Sequence, residues 1–157
     1  MLFLDTSVFV KVYFRELGME ATVSRFSSPG EVLAASVLSY AEMHSVMARK
    51  YREKQISLAE LSRLRETFER DWERLVNAVE LNRQTLAALP GLVERYPLKS
   101  ADAIQLSAAL WLRDYVDVGR SSAEGRAFEF GVSDHILAAS ARKCGLVIFN
   151  PEEESQG

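Results

Sequence analysis

Four carboxylates stand in this 157-residue chain where a merely solvated charge would be out of place. Asp5 closes the short apolar run Leu2-Phe3-Leu4, and Asp134 follows the apolar stretch from Phe128 to Val132. Each is placed at the carboxyl end of a predicted strand, where ligands gather in a parallel α/β sheet. Asp102 is the only charged residue between Ala101 and Leu112, a stretch otherwise interrupted only by Gln105 and Ser107. Glu42 has Leu38 and Val46 as its neighbours one helical turn away, and no Lys or Arg at 38, 39, 45 or 46 to pair with. Carboxylates drawn together raise one another's pKa and oppose folding unless a cation screens them. An all-oxygen set suits a hard ion, Mg²⁺ or Mn²⁺, rather than zinc.

Each acid also has a plainer role open to it. An Asp after a strand caps a helix or forms a turn. An Asp in a first helical turn gains ~0.3–1 kcal/mol from the helix dipole. Glu42 could pair with a base from elsewhere in the chain. Neither histidine joins the set: His44 is two residues from Glu42 and points off its face, and His135 reads as a structural residue opening a helix. Cys144, the single cysteine, excludes an internal disulfide and a cysteine-cage zinc site, and its apolar setting suggests a buried core thiol.

The elements that must position these acids alternate between short apolar strands and amphipathic helices. Strands are predicted at 2–4, 32–36, 79–81, 128–132 and 146–149. Helices are predicted at 8–15, 19–26, 38–54, 58–75, 82–89, 101–113 and 134–143. Ser57-Leu58-Ala59-Glu60 fits a capping box, and Leu58, Leu61, Leu64, Phe68, Trp72 and Leu75 then recur at helical spacing. Pro90-Gly91 should break or kink the helix before it. Such alternation predicts an α/β fold, a three-layer α/β/α sandwich with a mostly parallel central sheet. One domain over residues 1–150 is expected, with a glycine-bearing loop at 117–127 and a polar, frayed tail at 151–157.

With 48% hydrophobic and 26% charged residues, the chain can build a core, and its formal net charge of -3 is no footprint of a strong non-specific nucleic-acid binder. A bound divalent ion reverses the local sign, so an acidic protein can still engage a phosphate there. No apolar run reaches the ~18 residues of a membrane span, and Met1-Leu2-Phe3-Leu4-Asp5 does not read as a signal peptide. The cytoplasm is the expected compartment.

The order of the motifs resembles the PIN-domain family. Leu4-Asp5-Thr6-Ser7, Ser39-Tyr40-Ala41-Glu42, Ser100-Ala101-Asp102-Ala103-Ile104-Gln105-Leu106 and Ser133-Asp134-His135-Ile136-Leu137 carry the likeness. The closing Gly145-Leu146-Val147-Ile148-Phe149-Asn150-Pro151 is similar to that family's last strand, so the resemblance spans nearly the whole chain. More narrowly, the chain looks like the VapC-type toxins of prokaryotic toxin–antitoxin pairs. The resemblance implies endonucleolytic cleavage of RNA by one or two Mg²⁺ or Mn²⁺ ions held among Asp5, Glu42, Asp102 and Asp134. It also implies a hydroxyl at Ser7 or Thr6 orienting the first aspartate, a small antitoxin partner and a homodimer. The segment between the Asp102 helix and the strand before Asp134 is longer here than the family pattern. Lys11, Arg15 and Lys99 lie near the motifs and are candidate phosphate contacts.

Two other readings share some of these features. A phosphotransfer or receiver-like domain also gathers aspartates at strand ends. A haloacid-dehalogenase-type phosphatase would place a second Asp where Ser7 stands, and no G-x-x-x-x-G-K-[ST] loop is present. A PIN-like module that docks a partner without catalysis would be expected to have lost some of the acids, and all of them are here.

Overall fold

A computed structural model describes residues 1–118 and 127–154. The chain runs β1 (Leu2–Leu4), α1 (Thr6–Phe14), α2 (Met19–Phe26), β2 (Leu33–Ser36), α3 (Val37–Arg52), α4 (Leu58–Leu75) and β3 (Val76–Val79). It continues through α5 (Arg83–Arg95), α6 (Ser100–Val118), β4 (Glu129–Gly131), α7 (His135–Lys143), β5 (Val147–Phe149) and α8 (Pro151–Glu154). The sheet order is β3-β2-β1-β4-β5, with every pair parallel. The chain therefore winds outward from β1 to one edge and then returns to build the other side. The reversal falls between β1 and β4, and such a switch point opens a crevice beyond the strand carboxyl ends.

Alternation along β1 divides the core into two layers. Phe3 faces Leu92 of α5, Leu106 and Ala109 of α6, and Leu137 and Ala138 of α7. Leu2 and Leu4 face Val8 and Phe9 of α1, Met43 and Met47 of α3, and Leu61 and Phe68 of α4. Successive strand side chains point to opposite faces, so helices must cover both. The α/β/α sandwich expected from the sequence follows. None of the described helices is long and apolar enough to cross a membrane.

Several boundaries differ from expectation. The third strand is Val76–Val79 rather than 79–81, and it leaves α4 without a turn. Register with β2 explains the shift, because Val76 pairs with Leu33 while the Asn77 amide donates to the Leu33 carbonyl at 2.9 Å. Helix α5 runs through Pro90 unbroken to Arg95. The bond that Pro90 cannot make is to the carbonyl of Leu86, a residue 51% exposed, where water can serve instead. Helix α6 extends past Arg113 to Val118, and the loop expected at 117–127 lies largely outside the described residues.

The segment read as a frayed tail is ordered as far as Glu154. Pro151 is buried, and α8 rests on α2 while Glu152 accepts a hydrogen bond from Lys11. Gly18, at φ +93°, makes this approach possible: a Cβ there would meet the Pro151 carbonyl carbon at 2.9 Å. Gly18→Ala should therefore push α8 away and lower stability by about 1–3 kcal/mol through overpacking and a strained backbone. Urea melts together with limited proteolysis at the C-terminus check this; unchanged stability and unchanged resistance would contradict it.

Candidate active site

Asp5 leaves β1 at the switch point and caps α1. Its backbone N–H donates to the Gly131 carbonyl of β4 at 2.9 Å, which ties it to the neighbouring strand. Its Oδ2 accepts the Ser7 N–H at 2.9 Å and the Ser7 hydroxyl at 2.6 Å. Ser7 Oγ in turn accepts the backbone N–H of Ser133 at 3.0 Å. One serine thus links the first aspartate to the turn preceding the last. Of the two hydroxyls expected to orient Asp5, Ser7 makes that contact.

Thr6 serves a different carboxylate. Its hydroxyl donates to Oε2 of Glu42 and lies 3.2 Å from Ser39 Oγ. Glu42 and Ser39 are both on α3, whose first turn is capped by the buried Ser36 at the end of β2. Gln105 of α6 completes the group, with its Nε2 2.7 Å from Ser39 Oγ, 3.1 Å from Glu42 Oε2 and 3.2 Å from Thr6 Oγ1. Sequence reasoning noted Gln105 as an interruption in an apolar helix and gave it no role. The signal that could have found it is its place one helical turn after Asp102 on an inward face.

Asp102 stands in the first turn of α6, half-buried, and its Oδ2 accepts the Lys99 N–H at 3.3 Å. Asp134 is exposed and caps α7, its Oδ1 accepting the Leu137 N–H at 2.8 Å. The plainer roles are therefore realised, a helix cap for Asp5 and Asp134 and a first-turn acid for Asp102. They do not exclude the other role, because the charges also feel one another. Burial pushes the Asp5 carboxyl up to about 6 against the lowering effect of its Ser7 hydrogen bonds, and the charge of Glu42 adds to the rise. Burial also raises Asp102, the Lys99 N–H opposes it, and the charges of Asp134 and Glu42 raise it further.

The cations expected nearby fall into two groups. Lys99 is exposed and adjacent to Asp102, and its charge lowers that carboxyl's pKa. Lys11 is only 4% exposed and its ammonium is engaged by Glu152, so it is not offered to a phosphate. Arg15 caps the far end of α1, nine residues from the end that Asp5 caps and so roughly 14 Å away along the axis. The sequence places both near a motif, but helix geometry turns one inward and carries the other away. His44 is held between Tyr40 and Phe68, with ring centroids at 4.6 and 5.7 Å, and lies 3.7 Å from Glu69. Cys144 is half-buried at the end of α7 rather than a core thiol.

Among the described residues no three acidic, histidine or cysteine side chains converge as a ready-made ion cage. The acids instead couple at longer range, Asp5 to Glu42 and Asp102 to both Glu42 and Asp134. An oxygen-only set with a desolvated member is nonetheless suited to Mg²⁺ or Mn²⁺, which keep several waters and need few protein ligands.

A native pKa near 6 against an unfolded value near 3.8 means the folded state holds more protons between those pH values. Stability of the ion-free protein should fall as pH rises from about 4 to about 6, by on the order of 2–3 kcal/mol from Asp5 alone. Asp5→Asn, which retains a capping side chain, should flatten that slope. Urea melts in chelator across this range test it, and identical pH profiles for the two proteins would contradict it.

Comparison with curated protein sequences gives no match. Among solved structures, the chain is similar to VapBC2 from Rickettsia felis bound to a DNA fragment from their promoter. That likeness has a TM-score of 0.65 and 10% identity over 96% of this chain and 98% of that one. A toxin–antitoxin complex from Klebsiella pneumoniae aligns with a TM-score of 0.61 and 17% identity, covering 96% and 98% of the two chains. FitAcB from Neisseria gonorrhoeae aligns at 0.58 and 15%, again over 96% and 98%. Identities this low establish shared architecture only. The family model for the PIN domain matches residues 2–113, most of the chain, and takes in Asp5, Glu42 and Asp102. The chain belongs to the PIN-domain family.

Proposed function

We propose that this protein is a Mg²⁺- or Mn²⁺-dependent endoribonuclease and the toxin of a toxin–antitoxin pair. The observation that carries the proposal is the buried Asp5 carboxylate at the switch point, electrostatically coupled to Glu42, with Glu42 coupled in turn to Asp102. Asp5 and Asp102 would hold the ion, Glu42 would complete its surroundings, and Asp134 would act through a second ion or indirectly. When bound, the ion supplies a Lewis acid for the phosphodiester and makes a water acidic enough to attack at neutral pH.

The chain's own groups do the positioning. Ser7 restrains Asp5 through two hydrogen bonds to Oδ2 and so fixes the direction of the carboxylate. Thr6 restrains Glu42 from the same turn. Lys99, exposed beside Asp102, would meet a backbone phosphate. With no pair of histidines for attack by the 2′-hydroxyl, hydrolysis should leave a 5′-phosphate and a 3′-hydroxyl. The similar solved structures are toxin–antitoxin complexes, which supports a small antitoxin protein as partner. A homodimer acting in the cytoplasm completes the reading.

One observation favours a second reading. Asp5 and Asp134 act as helix caps and Asp102 as a first-turn acid accepting the Lys99 N–H, and a non-catalytic docking module would need nothing more of them. Cleavage assays separate the two. RNA cleavage should require Mg²⁺ or Mn²⁺, stop in excess chelator and fail with Ca²⁺. Asp102→Asn should cut the rate steeply while changing ion-free stability by no more than ~1 kcal/mol. Activity persisting in chelator, or an Asp102→Asn variant that cleaves normally, would overturn the proposal.

A further inference from the structure

Gln105 is 1% exposed on α6, one turn beyond Asp102, and its amide nitrogen lies within 3.2 Å of oxygens on α1 and α3. Its own oxygen, Oε1, is buried and makes no hydrogen bond. A buried glutamine that leaves its carbonyl unsatisfied is held by its nitrogen, and the oxygens of Ser39 and Glu42 explain why. Turning the amide over would set Oε1 against the carboxylate of Glu42, two acceptors face to face. The orientation of Gln105 therefore depends on an anionic oxygen at Glu42.

The hydrogen count sharpens this. Thr6 has one hydroxyl proton, and it goes to Glu42 Oε2. The two protons of Gln105 Nε2 then go to Ser39 and to Glu42 Oε2, which has two donors as a result. Oε1 of Glu42 is left as the oxygen free to face a cation. Both donors to Oε2 are themselves fixed in the backbone elements that carry the other acids, Thr6 next to Asp5 and Gln105 one turn from Asp102.

We infer that Gln105 is a positioning residue for the cation site, acting through Glu42: it anchors one carboxylate oxygen of Glu42 and registers α3 against the helix bearing Asp102. This rests on the proposed reading of the acids as a cation site. A purely structural glutamine would affect folding without affecting ion affinity, so the two roles separate in a binding measurement.

The test is Mn²⁺ binding by calorimetry to the purified protein, its Gln105→Met variant, Glu42→Gln and the double variant. Methionine matches the volume and flexibility of glutamine without the amide. Loss of the anchor should weaken Mn²⁺ binding by about 10- to 100-fold in the native background. In the Glu42→Gln background the same change should have an effect within about threefold, because the group it positions has gone. Gln105→Asn, which keeps an amide but loses its reach, should weaken binding like methionine and supplies the cycle if that variant fails to fold. Native binding with equal losses in both backgrounds, or with no loss, would overturn the role of Gln105 alone. Absence of Mn²⁺ binding by the native protein would overturn this role and the cation site together.

Discussion

Desolvation of Asp5 is the constraint around which the site is built. A carboxylate taken out of water at the centre of a sheet has three sources of relief: backbone and hydroxyl donors, the positive end of a helix, and a cation. The first two are present, since Ser7 gives two hydrogen bonds and α1 begins at the cap that Asp5 forms. A helix amino-terminus offers about 0.3–1 kcal/mol at an exposed site and up to ~2 kcal/mol when partly buried. That is not enough here, because burial still wins and the carboxyl is displaced upward to about 6. What remains unbalanced is a place for positive charge.

The same logic extends to the other acids. Asp102 lies in the first turn of α6 and Asp134 caps α7, so several helix amino-termini bring their partial positive charge to these acids. Such placement lets each acid exist there during folding, without an ion. Repulsion from Asp134 and Glu42 is felt at Asp102, and among the described residues no three such groups form a tight cluster. On the proposed reading the chain folds first and binds an ion second, in contrast to small metal domains that fold only around their metal.

Much of this was legible in the residues. Asp102 and Glu42 stood out as charges on apolar helix faces, and Asp5 and Asp134 as acids ending apolar runs, and the proposed site rests on these four candidates. The alternation of runs and helices also led to the parallel sandwich. What the residues could not reveal was which partners distant segments would bring. Lys11 looked like a free cation because nothing local shows that Glu152 returns to meet it. Gln105 looked like an interruption because its acceptors, Ser39 and Glu42, come from another helix, α3. The third strand moved three residues because pairing with Leu33, a tertiary event, sets its register.

In the proposed site a cation takes the place of the proton that burial forces onto Asp5. Counting protons released on Mn²⁺ binding, by calorimetry in buffers of different ionisation enthalpy, tests it most directly. Near pH 6 roughly half a proton per ion should be released, since Asp5 is raised to about 6, with release falling towards zero above pH ~8. The Asp5→Asn variant should release none from this position. Tight Mn²⁺ binding with no proton release at pH 6, or release unchanged in Asp5→Asn, would contradict the account.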